Sequence, residues 1–94
     1  MKIKIPKFGL NRHNKRSVSE FAADVLRAEN AGWDCAFLPD SQLSSRDTYV
    51  LLAAAAQATK KITLGTLLVN PVTRHPSVTA SSISTVAELA PNRT

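Results

Sequence analysis

Only one cysteine, Cys35, occurs in this chain of 94 residues. An intrachain disulfide is therefore excluded, and nothing points to an oxidising compartment. Long hydrophobic runs are missing as well: no stretch approaches the roughly 18 consecutive apolar residues of a membrane span. The first ten residues interleave Lys2, Lys4 and Lys7 with apolar side chains, so they lack the apolar core of a secretory signal. These absences point to a cytoplasmic protein without membrane contact. Clustered metal ligands are lacking too. His13 and His75 lie far apart and have no close Cys or His partner, so no metal site is expected.

What is present is ordinary for a globular chain, with 44% hydrophobic residues, and the length allows one domain at most, residues 1–94. Cys35 sits in the apolar run Cys35-Ala36-Phe37-Leu38 and reads as a buried, inert thiol. The one oddity is a net charge of +5, with Lys2, Lys4, Lys7, Arg12, Lys15 and Arg16 all in the first sixteen positions. Such a cluster suits a phosphate or nucleic-acid surface. A solvated strand edge and loop explains it better, because no aromatic residues interleave with the charges for base stacking.

Short strand-like runs alternate with longer helix-like runs, with a repeat of about 30 residues, the length of a βαβ step. The first strand is expected over Ile3 to Leu10. Ser17-Val18-Ser19-Glu20 then forms a capping box. Val18, Phe21, Ala22, Val25 and Leu26 make one apolar helical stripe, and Gly32 supplies a left-handed stop. The second strand, Asp34 to Leu38, is nearly all apolar, as in a sheet covered on both faces. Pro39-Asp40-Ser41 turns the chain. Asp47 caps a second helix, Thr48 to Ala58, whose alanine run allows close packing. The third strand is expected over Ile62 to Val69, where Gly65 marks a bulge or a close backbone approach. Asn70-Pro71 ends it. A third helix begins near His75-Pro76, buries Ile83, Val86, Ala87 and Ala90, and stops at Pro91. Asn92-Arg93-Thr94 reads as entry to a fourth unit.

This order implies parallel strands. A doubly wound sheet would carry a glycine-rich phosphate turn after its first strand. Residues Asn11 to Arg16 contain no glycine, which favours the start of a parallel (β/α)8 TIM barrel, an α/β fold of which only the first three βα units are present. In a barrel the strand C-termini carry the site. The candidates are then Asn11 and His13; Asp40, Ser41 and Gln42; and Val69, Asn70, Thr73, Arg74 and His75. A structural role competes for several. Asp40 fits an Asx turn, Asp47 a helix cap, His75 an N-cap or packing residue, and Arg74 either an anion contact or a plain surface position. A Ser41–His75–Asp40 triad has poor geometry, because Asp40 and Ser41 are adjacent on one turn.

Several segments resemble the bacterial luciferase-like superfamily. They are Ala31-Gly32-Trp33-Asp34; Pro39-Asp40-Ser41-Gln42; Arg46-Asp47 before the alanine-rich helix; Lys61-Ile62-Thr63-Leu64-Gly65-Thr66; Val69-Asn70-Pro71-Val72-Thr73-Arg74-His75-Pro76; and Val86-Ala87-Glu88-Leu89 with Asn92-Arg93. The resemblance runs from about Ser17 onward, in order and spacing. It is nearest the methylenetetrahydromethanopterin reductase-like branch, which uses coenzyme F420; the FMN-dependent monooxygenase branch is the alternative.

The resemblance implies an oxidoreductase that performs hydride transfer on a small-molecule substrate, with a full-length parent that forms a homo-oligomer. It implies that Asp40, Ser41, Val69 and Asn70 contact the F420 or FMN ring, with Gln42, Thr73, Arg74 and His75 nearby. It also implies a bulge with a non-proline cis peptide near Leu67 to Val69. The family barrel is several times longer and places its phosphate-binding loops in later units. This chain alone is therefore expected to be an inactive N-terminal fragment, aggregation-prone at its open sheet edge. A small basic phosphate-binding module and a non-functional truncated product are the rival readings.

Overall fold

Three parallel strands and three helices alternate along the chain in the computed structural model, which describes residues 7–11 and 17–94. They are β1 (Gly9–Asn11), α1 (Val18–Asn30), β2 (Cys35–Leu38), α2 (Thr48–Ala58), β3 (Thr63–Thr66) and α3 (Pro76–Leu89). The sheet order is β1-β2-β3, both pairings parallel. Its register places Leu10, Ala36 and Leu64 in one row and Asn11, Phe37 and Gly65 in the next. Side chains of successive rows point to opposite faces. One face, with Ala36, Leu38 and Leu64, is buried with Phe21 and Val25 of α1, Leu51, Leu52, Ala55 and Ala56 of α2, and Val86 of α3.

The other face is less covered than a strand buried on both sides would be. Cys35 and Phe37 are half-buried while Ala36 and Leu38 are buried, so the expected two-sided burial of β2, and of the Cys35 thiol, does not hold. The Phe37 ring itself covers much of this face. A Cβ added at Gly65 would lie 3.2 Å from two atoms of the ring, and one at Gly9 would lie 3.2 Å from a third. The close approach expected at Gly65 is thus a ring laid across all three strands.

Local signals explain the helix ends. Ser17 caps α1, its hydroxyl accepting from the Glu20 N–H at 3.2 Å and donating to the Glu20 carboxylate at 2.9 Å. At the other end Trp33 N–H bonds Ala28 C=O and Gly32 N–H bonds Glu29 C=O, with Gly32 at φ +93°. This is a Schellman stop, which needs a left-handed residue. The stripe of α1 is rotated from its expected setting. Phe21, Asp24, Val25 and Ala28 are buried, whereas Leu26 is 37% exposed. Leu26 lies about 100° round the helix from Val25 and falls at the rim of the contact with α2 and the sheet. Asp24 is buried and ion-paired with Arg27. On α3, Val86 is buried, while Ile83 and Ala87 are only half-buried.

Two strands differ in extent from expectation. The ladder of β1 covers Gly9–Asn11, and residues 3–6 of the expected strand lie outside the described residues. β3 ends at Thr66 and not at Val69. Beyond it the backbone leaves the regular ladder but stays tied to the neighbouring segment, Leu67 N–H bonding Leu38 C=O at 2.8 Å and Leu68 C=O accepting from Asp40 N–H at 3.2 Å.

Two charged side chains lock the opposite end of the layer. Arg93 donates from Nη1 to Thr59 Oγ1 and the Ile62 carbonyl, and from Nη2 to the Ala56 and Thr59 carbonyls, all at 2.8–3.1 Å. It thereby satisfies carbonyls that the end of α2 leaves open. Its own carbonyl accepts from Leu64 N–H at 2.7 Å, so the segment after α3 runs beside β3.

Glu29 Oε2 accepts from the N–H groups of Lys60, Lys61 and Ile62 at 2.7–2.9 Å, just before β3 begins. Burial works to raise the Glu29 pKa, but these three N–H bonds, with the Arg93 charge, outweigh it and hold the carboxyl below its ordinary value. A lowered folded pKa means that the contribution is complete above the ordinary glutamate pKa, about 4.3. It is lost as pH falls through the lower folded value. Glu29→Gln is expected to cost about 1–2 kcal/mol at pH 7, allowing for solvent screening. Urea unfolding should show the gap from wild type closing as the pH is taken from 5 toward 3.

Candidate functional site

At the C-terminal ends of β2 and β3 the chain forms two loops, residues 39–47 and 67–75. Their sequences turn there for local reasons. Pro39 cannot extend a ladder, and its carbonyl accepts from Thr48 Oγ1 at 2.7 Å. Asp47 caps α2, Oδ2 accepting from Val50 N–H at 3.0 Å, as its position before the alanine run suggested. Asn70 Oδ1 accepts from Val72 N–H at 2.9 Å, an Asx turn, and its carbonyl accepts from Thr73 Oγ1 at 3.2 Å. His75 caps α3, Nδ1 accepting from Ser77 N–H at 3.1 Å and lying 2.8 Å from Ser77 Oγ. The peptide bond between Leu67 and Leu68 is cis, at the place the family resemblance implied.

Arg74 joins the two loops. Its Nε donates to Asp40 Oδ2 at 2.9 Å and its Nη2 to Asp47 Oδ1 at 2.6 Å. The guanidinium lies 4.7 Å from the centroid of the Tyr49 ring, close enough for a cation–π contact. Gln42 Nε2 donates to the other Asp40 oxygen at 2.7 Å. The Asp40 side chain is 1% exposed and that of Arg74 15%. Asp40 therefore does not hold a backbone Asx turn, and Arg74 is neither a free surface residue nor an uncompensated anion site. Both are committed to each other.

The charges reinforce this arrangement. The hydrogen bond to Asp47 raises the Arg74 pKa, the bond to Asp40 adds to it, and together they outweigh the opposing effect of burial. Burial would raise the Asp47 pKa, but the bonds from Arg74 and Val50 outweigh it and hold it below the ordinary value. Burial, then the Asp40 charge, push the Tyr49 phenol up. The Tyr49 hydroxyl is buried and makes no hydrogen bond of normal geometry among the described residues, although the Thr79 side chain lies near enough to interact.

The sequence-predicted residues are therefore partly assembled. Asp40, Gln42 and Arg74 form one network, with Ser41 half-buried beside it. Val69 is half-buried, and Asn70, Thr73 and His75 are exposed. His75 and Asp40 are both engaged elsewhere, so the triad does not form. Asn11 is exposed at the end of β1, while His13 lies outside the described residues. So do Lys2, Lys4, Arg12, Lys15 and Arg16 of the basic cluster; Lys7 is described and exposed. Sequence reading missed Asp47 and Tyr49 as partners of Arg74. An arginine 27 positions after an aspartate carries no local signal of such a bond.

At the same end of the sheet several apolar side chains are exposed. Leu68 is 70% exposed and Leu67 48%, and Val72 and Leu43 are more open still. Leu43 adopts a left-handed backbone at φ 68°. Among the described residues no group of His, Cys, Asp and Glu could hold a metal ion. No helix among them is long and apolar enough to cross a membrane.

Comparison with known proteins places this geometry. Residues 4–94 match the family described as luciferase-like monooxygenase. The chain is 35% identical over 86 residues to a 5,10-methylenetetrahydromethanopterin reductase from Methanolobus tindarius, an alignment covering 92% of this chain and 26% of that protein. It is 36% identical over 92 residues to an F420-dependent glucose-6-phosphate dehydrogenase from Beutenbergia cavernae, covering 84% of this chain and 27% of the relative. The solved structure of the coenzyme F420 dependent tetrahydromethanopterin reductase from Methanopyrus kandleri superposes with a TM-score of 0.86 at 31% identity. That superposition covers 93% of this chain and 25% of the reductase. The chain thus spans about a quarter of the length of the relatives it matches. Its three parallel βα units correspond to the N-terminal part of a TIM-barrel reductase, which decides against a doubly wound sheet. With the motifs, the fold and the match over residues 4–94 in agreement, the chain belongs to the luciferase-like monooxygenase family.

Proposed function

We propose that residues 1–94 are the first three βα units of a longer luciferase-like barrel enzyme, and that loops 39–47 and 67–75 form one wall of its cofactor site. The observation that carries this reading is the exposed Leu67–Leu68 pair at the end of β3, followed by Val69 and Asn70 and tied through the Leu68 carbonyl to Asp40, the residue before Ser41. A flat ring system needs such a wall, apolar over its face and polar at its edge. F420 is favoured over FMN because relatives with similar identity are named as F420-dependent enzymes. The family description, luciferase-like monooxygenase, supports FMN as the second reading.

When bound, the deazaflavin accepts or delivers a hydride, so this segment need only hold and orient it. Leu67 and Leu68 present the apolar surface and exclude water, Val69 and Asn70 back the ring, and Ser41 offers a hydroxyl at its edge. Asp40 borders the ring through its backbone, since its carboxylate is occupied by Arg74 and Gln42. Thr73 and His75 lie further out and shape the loop. The phosphate side of the cofactor falls to later units, as does most of a small-molecule substrate pocket. The parent enzyme is cytoplasmic and homo-oligomeric in this reading.

Titrating the full-length barrel and the 94-residue chain with F420 and with FMN tests the reading. Saturable F420 binding by the barrel, with weaker FMN binding and none to the short chain, is the expected result. Salt-sensitive oligonucleotide binding by the short chain, with no flavin binding by the barrel, would instead support a basic binding module.

A further inference from the structure

We infer that Arg74 is a positioning residue that sets the two site loops as one unit and so controls cofactor affinity without touching the cofactor. This deepens the proposed function and rests on that reading. Three observations meet at this side chain. It reaches Asp40 in one loop and Asp47 at the cap of α2, 2.9 and 2.6 Å away. Asp40 in turn holds the opposite loop by its main chain, its N–H donating to the carbonyl of Leu68. The Tyr49 ring packs against the guanidinium, so the fork is held in its plane from one side.

The consequence is a closed circuit. Arg74 belongs to loop 67–75 and grips loop 39–47 through Asp40, and Asp40 grips loop 67–75 again at Leu68. Leu68 is a residue of the apolar wall. A displacement of the guanidinium therefore passes through Asp40 to that wall. The planar fork meets Asp40 and Asp47 from two nitrogens at a fixed angle, whereas a lysine ammonium is a single point on a flexible stem and holds the pair less rigidly. Gln42 on the second Asp40 oxygen fixes the carboxylate plane, so Asp40 cannot rotate to follow a substitute partner.

A purely stabilising ion pair would behave differently. It would lower stability and leave the loops in register whenever the protein is folded. Glu29 provides the control, because its three hydrogen bonds lie just before β3, at the other end of that strand from the site.

The experiment compares the full-length barrel with Arg74→Gln, Arg74→Lys and Glu29→Gln variants. F420 dissociation constants are read from cofactor fluorescence, and amide exchange is read over loops 39–47 and 67–75, well below the melting temperature. Arg74→Gln is expected to weaken F420 binding by roughly ten- to a hundredfold, the size of loss that removing a supporting outer-layer partner causes at metal sites. Exchange should rise in both loops together. Arg74→Lys, which keeps the charge without the planar fork, should fold securely and show a smaller loss of the same kind. Glu29→Gln should leave affinity and loop exchange unchanged.

Wild-type F420 affinity in Arg74→Gln overturns the inference. An equal loss of affinity in Glu29→Gln overturns it as well, because general destabilisation would then suffice. Absence of F420 binding by the wild-type barrel defeats the functional reading instead. In that event the exchange data alone decide: a rise confined to loop 67–75, or no rise, refutes the joint positioning of the two loops.

Discussion

An Asp40→Ala variant is expected to unfold about 3 kcal/mol more easily than wild type, the low end of the range for breaking a buried ion pair. The direction follows from what remains behind. Arg74 would keep its charge in a site where its side chain is 15% exposed, with only Asp47 to compensate it. Gln42 would lose the acceptor of its side-chain N–H. The figure is set at the low end because Asp47, itself part-exposed, stays in place. Asp40→Asn should cost less, since an amide oxygen can still accept from one neighbour. Denaturant midpoints for the two variants at pH 7 check both the size and the order; a cost below about 1 kcal/mol for the alanine would place the pair among ordinary surface ion pairs.

Leu52→Ala is expected to cost more, about 3–5 kcal/mol, the range for emptying a rigid core site. Leu52 is fully buried on α2, next to Leu51 and one turn before Ala55 and Ala56. The helix packs against α1 on one side, α3 on the other and β3 beneath. Ala55 and Ala56 have no side-chain length with which to close a cavity left one turn away, so relaxation can recover little. Val50 lies on the same helix but is exposed, and Val50→Ala should change stability by less than about 0.5 kcal/mol. Similar losses at both positions would mean that α2 is not held by its buried face.

Residues with local jobs were legible in the sequence. Ser17 with Glu20, Gly32, Asp47 and Pro76 each mark a helix end through their own backbone preferences, and each stands where those preferences put it. The alternation of short apolar runs with helical stripes was enough for parallel βα units, and the loop without glycine tilted the balance toward a barrel. Distance in sequence hid the rest. The Arg74–Asp40 bond, the Glu29 carboxylate on three N–H groups of another segment and the Arg93 fork on the end of α2 all join residues more than thirty positions apart. No periodicity announces them. Strand ends were also overextended, because Leu67 to Val69 are as apolar as the ladder they follow. Apolarity there serves an exposed surface and not a core, a distinction that only folding reveals.

The ring of Phe37, laid between Gly9 and Gly65, makes three positions on three strands share a single volume. Residues 9, 37 and 65 are thus bound in epistasis. Bulk can move from one strand to its neighbours only by reciprocal exchange, a smaller residue at 37 opening room for larger ones at 9 and 65. Within a family of barrels, that trade offers a way to reshape the inner surface of the sheet while the outer, helix-facing packing stays as it is.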